Sequence, residues 1–171
     1  GGLVEEFGAR PLGLALTGSG LFSAIWARQT ALAARLGGFA AAALGLATLV
    51  SGSPEPIQLL PALIYVGIGI VFLHSLLDTD SVIERAARTL EPEAPPFIRS
   101  YCRKLTVVWA LLFFGNAAII FSLTFSAPWS TWLAWTTWGN WTSMGLFSGV
   151  EFLFRKSWFR YYFYLGPFDR R

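Results

Sequence analysis

Four stretches of the chain are apolar for long enough to cross a bilayer, and the polar residues between them fall into short blocks. A helix needs roughly 20 residues to cross about 30 Å of hydrocarbon. The stretches cover about 31–50, 57–77, 105–125 and 132–154. They predict an all-α, polytopic membrane protein with four transmembrane helices over 31–156. Residues 1–30 are expected as a cytoplasmic or interfacial segment, and 157–171 as an aromatic-basic interfacial tail. The first stretch, ALAARLGGFAAAALGLATLV, holds Arg35 one turn from its end. An Arg at mid-bilayer costs about 2.5–3.5 kcal/mol, so this side chain is expected to snorkel outward. The second stretch carries Pro61 in its first turns, where a kink is mild, and the third is interrupted chiefly by Asn116 near its midpoint. The run Pro11–Trp26 is too broken by Gly and Ser for a signal peptide.

The connection 78–104 has its own pattern. Ser81-Val-Ile-Glu84 fits a capping box, and Ile83, Ala87 and Leu90 then share one face until Pro92. This predicts a short amphipathic helix on the cytoplasmic membrane surface. Pro95-Pro96 restarts a helix, and Phe97 onward runs into the third span, with Arg99 and Arg103 on one face of its cytoplasmic extension. The tail RKSWFRYYFYLGPFDRR alternates Arg with aromatics, a composition suited to the headgroup layer.

Composition agrees: 54% of residues are hydrophobic and 13% charged, where a soluble domain carries roughly a quarter charged. The basic residues sort by loop rather than forming a patch on a soluble surface, which argues against a nucleic-acid partner. Arg10, Arg28 and Arg35 precede or open the first span. Arg85, Arg88, Arg99, Arg103 and Lys104 lie between the second and third; Arg155, Lys156, Arg160, Arg170 and Arg171 follow the fourth. The connections 51–56 and 126–128 hold none. Because cytoplasmic loops retain Lys and Arg, both termini are expected on the cytoplasmic side of a bacterial inner membrane.

Candidate chemistry is sparse. His74 is the single histidine and Asp78 follows it by four residues, so a continuous helix would put both on one face; a His–carboxylate pair can act as a base in acyl transfer. The bland reading is an interfacial His beside an acid. Asn116 needs a partner inside the protein, most simply across a helix interface. Gly145 and Gly149 form a GxxxG that lets another helix approach. Arg85, Arg88, Arg99, Arg103 and Lys104 read as topology determinant and anionic-lipid contact, or as a dock for an acidic partner. Glu151 and Arg155 have the order of a helical ion pair. Cys102 is the single cysteine, which excludes an internal disulfide, and no spacing suits a metal. No phosphate-binding or nucleophile motif occurs, and no cofactor is indicated.

The run WSTWLAWTTWGNW places Trp129, Trp132, Trp135, Trp138 and Trp141 every third residue. On an α-helix each is turned about 60° from the last, so the run sweeps roughly 240° and rises about 18 Å. Trp129 and Trp132 are expected at the far headgroups. Trp138 and Trp141 are expected deeper, as contacts for a partner or ligand.

Ile83-Glu84-Arg85 with Ala87-Arg88, Pro92-Glu93-Ala94-Pro95-Pro96, Tyr101-Cys102-Arg103-Lys104, Thr106, Val108-Trp109 and Asn116 carry a resemblance, extended by Met144-Gly145-Leu146, Glu151 and Arg155-Lys156. Over about 57–156 the chain resembles a family of small bacterial inner-membrane proteins whose genes accompany aryl-polyene or xanthomonadin-type pigment pathways. It is distantly similar to the septation protein A family. The resemblance implies a polytopic inner-membrane protein, with an acyl carrier protein or pigment among its partners, and supplies no reaction. The tryptophan run, the His74/Asp78 pair, the first 50 residues and the tail depart from it.

The leading expectation is a non-enzymatic accessory or scaffold protein that contacts membrane lipid, polyene pigment, a membrane-protein partner or a second copy of itself. The alternatives are an accessory subunit of a large pigment–protein complex, and an intramembrane acyl-transfer enzyme using His74 and Asp78.

Overall fold

A computed structural model of the chain describes residues 9–26, 32–90 and 97–158. Every regular element among them is a helix: α1 (Arg10–Trp26), α2 (Leu32–Ser51), α3 (Glu55–Gln58), α4 (Leu60–His74), α5 (Val82–Leu90), α6 (Phe97–Ser126), α7 (Trp129–Ala134), a π-helical segment (Trp135–Gly139) and α8 (Asn140–Trp158). The chain divides into two compact units, Gly1–Trp132 and Leu133–Arg171. Arg28, the stop at Pro92, the restart at Pro95-Pro96, the side chain of Arg35 and the tail beyond Trp158 lie outside the described residues.

Among the described residues, two helices are long and apolar enough to cross a membrane: Glu55–His74, at mean hydropathy 2.1, and Phe97–Ser126, at 2.0. The first is α3 and α4 taken together. Pro61 has no N–H to offer, and its ring crowds the carbonyl four residues back, so the helix loosens at Leu59. The break is mild, since Leu63 N still reaches Leu59 O at 3.0 Å. The second runs unbroken from its polar start to its apolar end, as the sequence predicts. α4 and α6 pack through Phe113, whose ring meets Tyr65 (6.1 Å), Phe72 (5.1 Å) and Trp109 (5.7 Å). Gly69 admits α6 closely, because a Cβ there would fall 2.9 Å from the Phe114 ring.

The first two helices form an antiparallel hairpin that the sequence reading did not pair. Gly13 lies against Gly45 and Gly20 against Gly38 and Ala42, so positions ascend on α1 as they descend on α2. Ala9, Gly13, Thr17 and Gly20 face Gly38, Ala42, Gly45 and Thr48 at the helical spacing of three and four. All but half-buried Thr17 are buried. The backbones touch: a Cβ on Gly45 would sit 2.7 Å from Gly13 O and 2.6 Å from Thr17 N. Gly13 and Gly20, two of the small residues that break the apolar run of 11–26, belong to its packing surface.

In the second unit the expected continuous α-helix is corrected by the π-helical turn. Asn140 N bonds back five residues to Trp135 O. Two hydroxyls, Thr136 Oγ1 at 3.2 Å and Thr137 Oγ1, compete for Leu133 O, and such competition widens a helix. The Trp135 ring folds over Gly139, where a Cβ would come within 2.5 Å of it. The indoles therefore do not follow the α-helical sweep. Trp129 and Trp132 stack at 4.8 Å within the first unit, and Trp132 is buried. Trp138 and Trp141 stand 76% and 69% exposed.

Gly45→Ala is expected to lower the detergent-solubilised thermal midpoint, at a cost of about 1–3 kcal/mol for overpacking against backbone that has nowhere to move. Gly67→Ala, with nothing within 4 Å of the added carbon, is the neutral control. Equal midpoints for the two variants would remove the hairpin seam.

Candidate functional site

The polar chemistry of the first unit gathers where α4 ends and α5 and α6 begin. Leu76 N bonds Leu73 O at 3.1 Å, Leu77 N bonds His74 O at 2.9 Å and Asp78 N bonds Ser75 O at 3.3 Å; these three-residue closures unwind α4 beyond His74. Two buried serines fix the turn. Ser75 Oγ donates to Phe72 O at 2.6 Å and accepts from Val82 N at 3.1 Å. Ser81 Oγ accepts from Glu84 N at 3.4 Å, which realises half of the predicted capping box.

The other half of the box is replaced by an ion-pair hub. Glu84, 0% exposed, does not turn back to cap Ser81; its Oε1 accepts Arg88 Nε at 3.2 Å and Nη2 at 2.8 Å, and Arg99 Nε stands 3.9 Å from its Oε2. The accepting Glu84 carboxylate raises the Arg88 pKa above the ordinary guanidinium value, against a smaller opposing effect of burial. Arg99 and Arg103, one turn apart on α6, each donate an Nη2 at 2.5 Å to the turn, to Thr79 O and Leu76 O. Arg85 meets Asp78 at 3.5 Å. Of the five predicted cations, four are thus engaged with the corner. Exposed Lys104 pairs with no carboxylate among the described residues.

His74 and Asp78 are not brought together as the sequence suggests. The helix that would carry both on one face ends at His74, and Asp78 is turned to Arg85. Both side chains are exposed. Asn116 is buried, and its Nδ2 donates at 3.0 Å to Leu112 O of its own helix. Gly145 and Gly149 are exposed, with nothing within 4 Å of an added Cβ, so their GxxxG receives no helix from the described chain. Glu151 and Arg155 form the predicted ion pair at 3.3 Å.

A second feature has no signature in the sequence. Between α2, α4 and α6 lies an open crevice of about 420 Å³, lined by Leu44, Ala62, Val66, Phe114, Ala118, Phe121 and neighbouring apolar side chains. Small-ligand sites span roughly 300–1,000 Å³. Its wall is hydrocarbon, so it can hold an apolar chain and offers no group to react with one. The crevice exists because Ala62, Ala117 and Ala118 stand where Leu44 and the Phe rings leave room, a relation between three helices that no single stretch displays.

Compared with known protein-family models, with curated proteins and with solved structures, the chain matches none. The corner and the crevice are therefore read from their own chemistry.

Glu84→Gln keeps the shape of the hub but removes the charge that two guanidinium groups face. It is expected to lower the thermal midpoint more than Arg85→Gln, whose partner Asp78 is half exposed. A larger loss from Arg85→Gln would displace Glu84 from the centre of the corner.

Proposed function

We propose that the chain is a multi-pass bacterial inner-membrane protein with an accessory, non-catalytic role: it holds an apolar chain, an acyl tail of a membrane lipid or a conjugated polyene, in the crevice between α2, α4 and α6. The observation that carries this reading is the crevice itself, hydrocarbon-walled and open beside two helices of membrane-spanning length. The resemblance to proteins that accompany aryl-polyene pathways favours the same class of ligand.

In this reading the four predicted spans are carried by α2, by α3 with α4, by α6, and by α7 with α8. The hairpin adds a fifth. α1 has 17 residues, about 26 Å of helix at 1.5 Å per residue. It lies along α2 from Gly13 beside Gly45 to Gly20 beside Gly38, and Arg10 Nε is 3.8 Å from where a Cβ on Gly52 would sit. If α2 crosses, α1 crosses beside it in the opposite direction. The start of α1 then lies on the extracytoplasmic side with Gly52, instead of with the cytoplasmic basic loops. Arg28, the 85–104 cations, Arg155 and Lys156 keep their cytoplasmic assignment, and Arg10 alone departs from it.

A second reading is favoured by one observation: the π-helical segment and α8 leave Trp138, Trp141, Gly145 and Gly149 all exposed. That face suits a neighbouring membrane protein or a second copy, as in an accessory subunit of a larger pigment–protein complex. Co-migration with such an assembly on native gels would favour it over the crevice.

Two measurements test the proposal. In a Cys102→Ser background, Arg10→Cys and Ser53→Cys are expected to react with an impermeant maleimide on spheroplasts, and Lys104→Cys only after permeabilisation. An Arg10→Cys that needs permeabilisation would return α1 to the cytoplasmic side. By native mass spectrometry, the wild-type chain should carry lipid or a conjugated apolar molecule that Ala118→Trp excludes; a bare wild-type chain would defeat the crevice reading.

A further inference from the structure

The described part of the corner holds five cations, Arg85, Arg88, Arg99, Arg103 and Lys104, against three carboxylates, Asp78, Asp80 and Glu84. The excess is not spread evenly. Asp78 pairs with Arg85, and Asp80 adds to the field that raises Arg88. The single charge of Glu84 is shared between Arg88 and Arg99. Arg103 faces a neutral carbonyl, and Lys104 has no carboxylate among the described residues. Among the described residues, uncompensated positive charge is thus concentrated on residues 99–104 of α6.

Depth and shape point to what it meets. The Arg103 guanidinium is bonded to Leu76 O, just past the end of α4 at His74, and the apolar part of α6 opens at Leu105. The charge therefore lies at the cytoplasmic edge of both apolar helices, where lipid phosphates lie. Arg99 and Arg103 each spend an Nη2 on the turn, which orders the planar fork while leaving other N–H donors of the five. Next to these groups, Lys104 shares one face of α6 with Val107, Val108 and Leu111 at helical spacing, and all are exposed, Leu111 at 62%. A charged head above an apolar strip is the outline of an amphiphile.

Resting on the membrane reading above, we propose that Arg99, Arg103 and Lys104 bind the phosphate of an anionic phospholipid in the cytoplasmic leaflet, with an acyl chain along Val108 and Leu111. Arg99 and Arg103 supply directional donors, and Lys104 supplies charge on the face where the chains descend. This site is distinct from the crevice, which lies toward the other end of α4 and α6.

The test uses the full chain in nanodiscs of phosphatidylcholine mixed with phosphatidylglycerol, with retained lipid read by native mass spectrometry after release. Wild type is expected to keep phosphatidylglycerol preferentially. Lys104→Gln should reduce that preference about fivefold, the equivalent of about 1 kcal/mol for one basic residue near an anionic surface. Arg103→Lys, which keeps charge and loses the fork, should reduce it less than Arg103→Gln. Lys156→Gln, an exposed cation of the second unit, should leave it unchanged. Equal losses from Lys104→Gln and Lys156→Gln would reduce the site to a diffuse field and overturn it. So would a preference that inorganic phosphate abolishes at concentrations too low to screen, which marks a free-anion site. Capture of a soluble acidic acyl carrier protein by wild type but not Lys104→Gln, with lipid preference unchanged, would also overturn it. Flotation of the chain with the bilayer separates the two readings: failure to float defeats the membrane assignment, whereas flotation without preference defeats the site alone.

Discussion

In hydrocarbon, helices gain nothing by hiding apolar side chains from an apolar solvent, so they associate through close fit and through polar groups at their ends. On the proposed membrane reading, the first unit answers this constraint in two ways. α1 and α2 bring their backbones together by carrying Gly and Ala at the seam, so that dispersion acts between main chains at short range. α4 and α6 mesh large rings around Phe113 and use Gly69 to admit Phe114. The fit of α4 to α6 is then locked at one end by the turn that Arg99 and Arg103 grip. At the other end the meshing is looser, and that is where the crevice opens.

Elements set by long-range apolarity were legible in the sequence. Phe97–Ser126 emerges as one helix because nothing from Phe97 to Ser126 interrupts it, and Arg99 and Arg103 share a face because their spacing is four. Elements set by what is absent from a side chain were not. Gly13 and Gly20 lower the apolarity of their segment, so a reading that scores apolarity treats them as breaks, although absence of a Cβ is what lets the helices meet. The His74/Asp78 pair failed for a related reason. Its spacing has meaning only inside a helix, and Ser75 closes the helix between the two residues by capping Phe72 O and Val82 N.

The corner also changes how a basic loop is read. Residues that sort a loop to the cytoplasm are usually treated as solvated charge. Here Arg88 and Arg99 flank a buried carboxylate, and Arg103 commits one Nη2 to a carbonyl. Glu84 therefore decides how much of the guanidinium charge beside it remains available outward. The legible part of this site was its list of cations, and the illegible part was their division into engaged and available groups. That division depends on where α5 lies against α6.

The π-helical turn at Trp135–Gly139 bears on the tryptophan run in a further way. A π-turn is an α-helix that has absorbed one extra residue, and one residue corresponds to about 100° of rotation about the helix axis. Within the second unit, everything after Gly139 is thereby out of phase with Leu133 and Ala134. The regular spacing of three in the sequence hides this change of register, which aims Trp141, Gly145 and Gly149 in a direction that Leu133 and Ala134 do not set. The extra residue acts as an angular adjustment, so the face α8 offers to its surroundings can be re-aimed by inserting or removing a single position, without changing its composition.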